Sequence, residues 1–201
     1  MMRVSAKYAG GLLCTGSVRT WLHIGNRSTI LPTLWATGTL VRLLRSARRE
    51  TYLKTMEIFQ VNDDATLFLS PNIDDWGPVE CLEISVVIDM DGDLDIGVPV
   101  VPNHMLYIYF PIFDEDLPDL SKLHELARLG ANLVKTGHKV LAHCGLGFNR
   151  SALMTGLILV YLGMSGKDAI ELLRQRRPGA LFNDNFAHYL ESMTPELLPK
   201  L

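Results

Sequence analysis

The nine residues His143–Ser151 (HCGLGFNRS) constrain the fold of this chain more than any other segment. The apolar run before them, 139–142, predicts a short strand, and the apolar run after them, 151–160, predicts a buried helix. A strand, a tight glycine-containing loop and a helix N-terminus in that order direct several backbone N–H groups toward one point, where the helix dipole is also positive. The sequence therefore predicts an anion site at this loop.

Two side chains of the loop have the chemistry to act on a bound phosphate. The guanidinium of Arg150 can hold two phosphate oxygens at once. The positive field of such a loop favours the thiolate of Cys144, which is the reactive form of the side chain. A buried cysteine in an ordinary strand–helix turn would explain neither Arg150 at the helix start nor the pair Gly145 and Gly147. A nucleophile that faces a bound phosphate indicates a phosphatase.

The order His-Cys, five residues, Arg-Ser resembles the signature loop of the cysteine-dependent protein tyrosine phosphatase superfamily. Gly147 stands where that family keeps a glycine. A nucleotide-binding loop of the Walker type would end in Gly-Lys-Ser/Thr, which is absent here. The low-molecular-weight phosphatases have the same spacing near their N-terminus, whereas Cys144 lies deep in the chain. The chain resembles the compact dual-specificity phosphatases, and the resemblance extends over residues 66–193.

This resemblance implies a role for each residue of the loop. Cys144 is the expected nucleophile, Ser151 donates a hydrogen bond to its sulfur, and His143 supports the loop. The phosphate is expected to bind to the segment that follows the cysteine, which comprises Gly145, Leu146, Gly147, Phe148, Asn149 and Arg150.

The same family protonates the leaving oxygen from an aspartate upstream of the cysteine. Asp114 lies thirty residues before Cys144 and follows a Pro-Ile pair, where compact members have their acid. Asp116 is the alternative acid, two residues nearer a predicted helix. Asp119 suits the N-cap of that helix.

Charge divides the chain into two parts. Residues 1–54 contain nine basic residues and one acid, a net charge of +8, while the rest contains ten basic residues and twenty-one acids, a net charge of −11. The first part shows no clear hydrophobic period and no run long enough to span a membrane. We therefore expect 1–55 to lie outside the core, as a disordered arm, a leader or an upstream extension. The catalytic domain is expected at 56–197, with a tail at 198–201.

The patterned part of the chain alternates strands with helices. Strands are predicted at 66–70, 84–90, 105–110 and 139–142, and helices at 121–136, 151–160, 166–176 and 183–193, with a short helix near 79–83 capped by Asp74 or Asp75. This order predicts an α/β fold of three layers, in which helices flank a mainly parallel central sheet, as in dual-specificity phosphatases. The ligand is expected at the carboxyl edge of the strands.

Three cysteines and no secretory leader favour a reducing compartment, and the cytoplasm is the expected location. An organellar location is the alternative, if residues 1–50 form a transit peptide. No CxxC pair or histidine cluster predicts a metal, and no cofactor is expected. Cys81 is interpreted as a core residue, with a role as resolving thiol for an oxidised Cys144 as the alternative.

The expected reaction is hydrolysis of phosphomonoesters through a cysteinyl-phosphate intermediate, on phosphotyrosine, phosphoserine or phosphothreonine of a protein partner. Three alternatives remain open. These are a small phosphorylated metabolite, an RNA 5′-phosphate, and a non-catalytic pseudophosphatase that binds phosphorylated groups. The RNA alternative arises because 147–150 also resembles the loop of RNA 5′-triphosphatases, but the acidic core would repel a phosphate backbone, so no nucleic acid is expected. The sequence leaves the oligomeric state open.

Overall fold

The computed structural model describes residues 57–199 and the backbone of two strands near the N-terminus, β1 (Arg3–Lys7) and β2 (Leu13–Ser17). These two strands pair with each other in antiparallel register. The sequence pattern predicted no strand there. The rest of the basic segment 1–55 lies outside the described residues, so the domain boundary near residue 55 stays a prediction.

The central sheet has five strands in the order β3-β4-β7-β5-β6. They are β3 (Phe59–Gln60), β4 (Leu67–Ser70), β5 (Val86–Asp89), β6 (Leu106–Tyr109) and β7 (Val140–His143). All neighbours are parallel except β3, which runs antiparallel to β4. The expected mainly parallel α/β sheet is confirmed, while the edge strand β3 was not predicted. The strand β6 forms the other edge and is partly exposed.

Within residues 57–199, five helices accompany the sheet: α1 (Gly77–Cys81), α2 (Leu120–Lys135), α3 (Arg150–Tyr161), α4 (Gly166–Arg176) and α5 (Asp184–Glu191). The last three-residue turn is a 3₁₀-helix at Pro195–Leu197. Short polar side chains cap α2, α4 and α5, because Asp119, Ser165 and Asn183 each accept a hydrogen bond from the backbone N–H three residues later. Among the described residues, none of the helices has the length and apolarity needed to cross a bilayer.

The first helix differs from its prediction. It ends at Cys81 instead of Glu83, because Glu83 has a positive φ of 57° and leaves the helical region. The N-cap position belongs to Trp76, whose side chain makes no cap hydrogen bond. The carboxylate of Asp75 still accepts a hydrogen bond from Gly77 N at 3.0 Å, which meets part of the expected capping.

The main core lies between the sheet and the layer formed by α2, α3, α4 and α5. Ten successive residues of α3, 151–160, are buried, so this helix sits in the middle of that layer. A smaller cluster covers the opposite face of the sheet, where Trp76 and Val79 of the α1 region pack near Phe68, Val87 and Leu141. The alternation of β5, with Val86 and Ile88 on one face and Val87 on the other, supplies both cores.

The parallel register aligns the carboxyl ends of the strands. Ser70 of β4, His143 of β7, Asp89 of β5 and Tyr109 of β6 form one row across the sheet. The loop that contains Cys144 begins immediately beyond this row, at a strand flanked by parallel neighbours on both sides. The edge of the sheet therefore places the predicted loop where α/β folds bind ligands.

Close packing of α4 against the end of α5 predicts a strong effect of a single methyl group. A Cβ added to Gly166 would lie 1.7 Å from the carbonyl oxygen of Leu190, a backbone atom that cannot swing aside. We expect Gly166→Ala to lower the free energy of unfolding by about 2 kcal/mol or more. Urea denaturation measures the effect. Gly92→Ala is the matched control, because a Cβ there meets nothing within 4 Å, and equal stability of the two variants would contradict the prediction.

Candidate active site

Cys144 is placed at the end of the central strand β7, where it is 2 % exposed. Its Sγ lies 3.3 Å from the hydroxyl oxygen of Ser151, which is fully buried in the first turn of α3. The structure thus brings the predicted nucleophile and the predicted donor to its sulfur into hydrogen-bond contact. Because Sγ and Oγ are shielded from bulk water, the hydroxyl is well placed to stabilise negative charge on the sulfur.

The backbone of the loop has a consistent orientation. Four successive carbonyls, 145–148, accept hydrogen bonds from groups outside the loop. The donors, in that order, are Asn72 N (3.4 Å), Arg177 Nη2 (3.3 Å), Arg177 Nε (3.5 Å) and Leu181 N (2.8 Å). Within the described residues, the N–H groups of 145–149 donate to no other group. A peptide plane whose carbonyl is held outward directs its N–H inward, so the loop presents a set of free amides.

Gly147 is required by this path of the chain. Its φ of +69° belongs to the left-handed region, and a Cβ there would lie 2.6 Å from Pro71 N and 2.8 Å from Ser70 O. The loop therefore rests directly on the backbone at the end of β4. No residue with a side chain fits this contact, which explains the glycine that the sequence analysis singled out.

The guanidinium of Arg150 lies beside the loop and is hydrogen-bonded to the protein through one nitrogen, Nη1. Nη1 donates to Asp91 Oδ1 at 2.9 Å, to Met90 O at 3.2 Å and to Ile112 O at 3.5 Å. Nε is buried and has no protein partner in the described part of the chain. Buried donors are rarely left unsatisfied, and this N–H is available to a ligand of the loop.

Arg177 supports the loop from behind. Its guanidinium carbon lies 3.9 Å from the centroid of the Phe148 ring and 4.4 Å from that of Phe59 in β3. Because this arrangement removes the guanidinium from water, burial lowers the pKa of Arg177 below its usual value. The same side chain donates to the carbonyls of Leu146 and Gly147, so it joins the loop to the edge of the sheet.

The acid candidates occupy different positions. Asn149 Nδ2 donates to Asp114 Oδ2 at 3.0 Å, and Asn183 Nδ2 donates to Asp114 Oδ1 at 3.3 Å. Asn183 N also donates to Asn149 Oδ1 at 3.0 Å, which closes a network between the acid loop, the cysteine loop and the start of α5. Asp116 instead accepts from Asn185 Nδ2 at 3.4 Å, away from the cysteine loop. The structure therefore joins Asp114, and not Asp116, to the loop of Cys144.

A buried polar cluster lies behind the nucleophile. His143 Nε2 is 2.9 Å from Asp95 Oδ2 and 3.6 Å from Asp89 Oδ1, and all three side chains are nearly inaccessible. The hydroxyl of Tyr107 donates to Asp89 and lies 3.2 Å from Asp95 Oδ2. Burial raises the pKa of Asp89 above its usual value near 3.8, although the Tyr107 hydrogen bond opposes this. Burial also raises the pKa of Tyr107, and its bond to Asp89 adds to the effect.

This cluster is also the group of described residues that could hold a metal ion, since ligand atoms of Asp89, Asp95 and His143 lie within 4.8 Å of one another. The carboxylates are already engaged, because Tyr107 bridges them and the backbone N–H of Asp91 donates to Asp89. His143 lies in close contact with the two acids at the base of the loop, although neither of its ring nitrogens makes a hydrogen bond within the described residues.

Five residues of this site were given no role by the sequence analysis: Asp89, Asp91, Asp95, Tyr107 and Arg177. Their contacts join positions 18 to 59 residues apart in the chain, which no local pattern reveals. A signal for Asp91 was present, since it follows a buried strand and so lies at the predicted ligand edge. Cys144 is a free thiol. Cys81 lies half-buried at the end of α1, and its sulfur is not a free thiol. The alternative role of Cys81 as a resolving thiol therefore has no support.

Free amides and a guanidinium arranged around a thiol are the active-site chemistry of a cysteine-dependent phosphatase. Comparison with known proteins agrees with this class. Residues 76–194 match the sequence model of the family described as "Dual specificity phosphatase, catalytic domain". The chain belongs to this family, and it is a protein phosphatase.

Relatives and solved structures extend the comparison beyond the family match. The chain is 28 % identical over 160 residues to human protein tyrosine phosphatase type IVA 3, which covers 78 % of this chain and 90 % of the relative. The fold is similar to that of the kinase associated phosphatase, with a TM-score of 0.57 at 21 % identity over 73 % of this chain and 97 % of the other. It is also similar to human DUSP28, with a TM-score of 0.55 at 21 % identity over 67 % and 90 % of the two chains.

Proposed function

We propose that Cys144, Arg150 and Asp114 carry out the two-step hydrolysis of phosphomonoesters in phosphorylated proteins. The observation that carries this proposal is the loop itself, where the outward carbonyls of 145–148 direct the amides of 146–149 inward, beside the Nε of Arg150 that has no partner among the described residues. Such a set of donors stabilises the negative charge of a phosphoryl group as it is transferred. The phosphate would lie against Gly145, Leu146, Gly147, Phe148, Asn149 and Arg150.

In the first step the thiolate of Cys144 attacks phosphorus in line with the leaving oxygen. The S–P bond forms, the P–O bond to the substrate breaks, and the carboxylic acid of Asp114 gives its proton to the departing oxygen. In the second step water attacks phosphorus, Asp114 accepts a proton from that water, and the S–P bond breaks. The hydroxyl of Ser151, 3.3 Å from Sγ, stabilises the thiolate that is regenerated.

His143 has a supporting role in this proposal. It ends β7 directly before the nucleophile, and its ring is held between Asp89 and Asp95. A fixed ring at this position fixes the start of the loop as well. Asn149 and Asn183 have a comparable role for Asp114, since their amides hold both carboxylate oxygens.

A protein substrate fits the surroundings of the loop. Phe113 beside the acid, Leu146 in the loop and Phe182 before α5 are 84 %, 67 % and 62 % exposed. Apolar side chains in such exposed positions next to a polar site are suited to contact a peptide around the phosphorylated residue. The name of the human relative, a protein tyrosine phosphatase, supports phosphotyrosine as one substrate. Phosphoserine and phosphothreonine are included because the family is one of dual specificity.

The alternatives have less support. An RNA 5′-phosphate would meet Asp91, Asp93 and the acidic run 114–116 near the site, and phosphate backbones need basic surfaces. A small phosphorylated metabolite leaves the exposed apolar side chains unexplained. A pseudophosphatase would not need a free thiol, an arginine that can bind phosphate and a hydrogen-bonded carboxylic acid in the same site. A cytoplasmic location is part of the proposal, since a reducing compartment keeps Cys144 a thiol.

Initial rates on a substrate panel test this proposal. The full chain is assayed with phosphotyrosine, phosphoserine and phosphothreonine peptides, a phosphorylated sugar, an RNA 5′-phosphate and para-nitrophenyl phosphate. We expect the highest kcat/KM on a phosphopeptide. Higher kcat/KM on the sugar or the RNA would assign the site to that substrate class, and binding of phosphopeptides without turnover of any substrate would indicate a pseudophosphatase.

A further inference from the structure

We infer that Asp91 is a positioning residue, whose carboxylate holds Nη1 of Arg150 and thereby turns the Nε–Nη2 edge of the guanidinium toward the phosphate. This inference rests on the proposed function, because it requires Arg150 to bind the substrate phosphate. It assigns a role in the reaction to a residue outside the cysteine loop and outside the acid loop.

The contacts of Arg150 are one-sided. Among the described residues, Arg150 has three acceptors, Asp91 Oδ1, Met90 O and Ile112 O. All three accept from Nη1, and the carboxylate, at 2.9 Å, is the nearest and the only charged one of them. Nη1 carries two hydrogens, so these acceptors saturate it. The buried Nε has no partner within the part of the chain that the structure describes. The N–H groups of Nε and Nη2, which point in parallel from one edge of the guanidinium, therefore remain available. Two parallel donors of this kind match two oxygens of a phosphate.

The free edge lies beside the nucleophile. A Cβ placed on Gly145, the residue directly after Cys144, would be 3.3 Å from Arg150 Nη2 and 3.3 Å from Asp91 Oδ2. The carboxylate and the guanidinium thus meet at the start of the loop. Because they meet through Nη1, Asp91 does not occupy the two nitrogens that a phosphate would use.

Asp91 itself is fixed from the interior. Its backbone N–H donates to Asp89 Oδ1 at 2.8 Å, and the other oxygen of Asp89 accepts from the Tyr107 hydroxyl. Asp89 is fully buried, so this anchor is part of the core. Gly92 N donates to Asp91 Oδ1 at 2.9 Å, which orients the carboxylate further. The side chains of Asp91 and Arg150 are 29 % and 15 % exposed, so water screens their interaction only in part.

Two effects of Asp91 on phosphate binding have opposite signs. By orienting the guanidinium of Arg150, Asp91 strengthens phosphate binding. Its own negative charge near the phosphate dianion weakens that binding. Orientation acts through direct contact with the binding side chain, whereas the charge acts from the far side of a neutralising guanidinium. We therefore expect orientation to dominate, and removal of the carboxylate to weaken the binding of phosphate.

Variants of two acids in one loop test the inference in the full chain. Asp91→Ala is expected to raise the inhibition constant of inorganic phosphate about tenfold, and to lower kcat/KM on para-nitrophenyl phosphate by at least as much. Asp91→Asn keeps an oxygen that accepts from Nη1. We therefore expect it to retain most of the affinity for phosphate and most of kcat/KM. Asp93→Ala is the matched control, because Asp93 is exposed and adds to the same negative field without contacting Arg150, and both constants should stay within about twofold of the parent.

The results separate the possible explanations. Phosphate binding by Asp91→Ala as tight as in the parent, or tighter, would overturn the inference, since Asp91 would then be neutral or a competitor for Arg150. Equal losses in Asp91→Asn and Asp91→Ala would overturn it as well, because the acceptor oxygen would not be what orients the fork. If Asp91→Ala does not fold, Asp91→Ser takes its place with the same expected loss, since its hydroxyl is too short to reach Nη1. Calorimetric binding of inorganic phosphate to the parent distinguishes a failure of this inference from absence of turnover in the parent, which would refute the proposed function alone.

Discussion

Cys144→Ser is expected to lower turnover of para-nitrophenyl phosphate by at least about 10⁴-fold while the protein still binds inorganic phosphate. A serine hydroxyl is not ionised at neutral pH, so it cannot replace the thiolate as nucleophile. The free amides of 145–149 and the guanidinium of Arg150 do not depend on the sulfur, so the anion site should persist. Initial rates and isothermal titration with phosphate measure the two properties separately.

Arg150→Lys is the complementary variant. Lysine keeps the positive charge but lacks the planar guanidinium, so phosphate binding should weaken along with turnover.

Activity of Cys144→Ser within tenfold of the parent would contradict the cysteine mechanism. A mild effect of Arg150→Lys would show instead that the contacts of Arg150 with Asp91, Met90 and Ile112 are its main role.

Asp114→Asn is expected to reduce turnover of alkyl phosphates by about 10²–10⁴-fold, and that of activated aryl phosphates far less. An alkoxide leaves poorly without a proton, whereas a nitrophenolate needs little help. The asparagine preserves the size of the side chain and keeps an oxygen that can accept from Asn149. The measurement is the ratio of kcat/KM for the two substrate types in the variant and in the parent.

Asp116→Asn is the matched control for the acid. Its carboxylate is exposed and contacts Asn185 instead of the cysteine loop, so the variant should behave like the parent on both substrates. The reverse pattern would assign the acid role to Asp116. Equally small effects in both variants would mean that neither acid protonates the leaving group, and would favour an anhydride substrate such as an RNA 5′-triphosphate.

Much of the helical structure was predictable because its signals are local. Asp119, Ser165 and Asn183 cap their helices through bonds to the N–H three residues later, and such bonds depend only on neighbouring residues. The helix predicted at 166–176 has those bounds in the structure. Strand ends were less accurate by one or two residues. The strand predicted at 84–90 spans Val86–Asp89, because the apolar residues Ile84 and Met90 continue the sequence pattern beyond its ends.

The cysteine loop could be predicted for a related reason. The cysteine, the arginine, the glycine and the helix start all fall within the nine residues of His143–Ser151, so the order of the chain alone shows that they are neighbours. Asp114 could be placed only by resemblance to a family, because it lies in another loop. Asp91 and Arg177 were given no role, because their contacts with the loop join segments that lie far apart in the chain.

The amino-acid sequence by itself determined the alternation of strands and helices, and the short loop that combines a cysteine, two glycines and an arginine at the start of a helix. These features depend on hydrophobic period, capping and backbone freedom, which act over a few residues. The tertiary structure decided the order of the strands, with β7 between β4 and β5, and thereby which side chains surround Cys144. Only that order brings Asp91, Asp114 and Arg177 to one loop, because contacts between distant segments arise from the packing of the whole sheet and its helices.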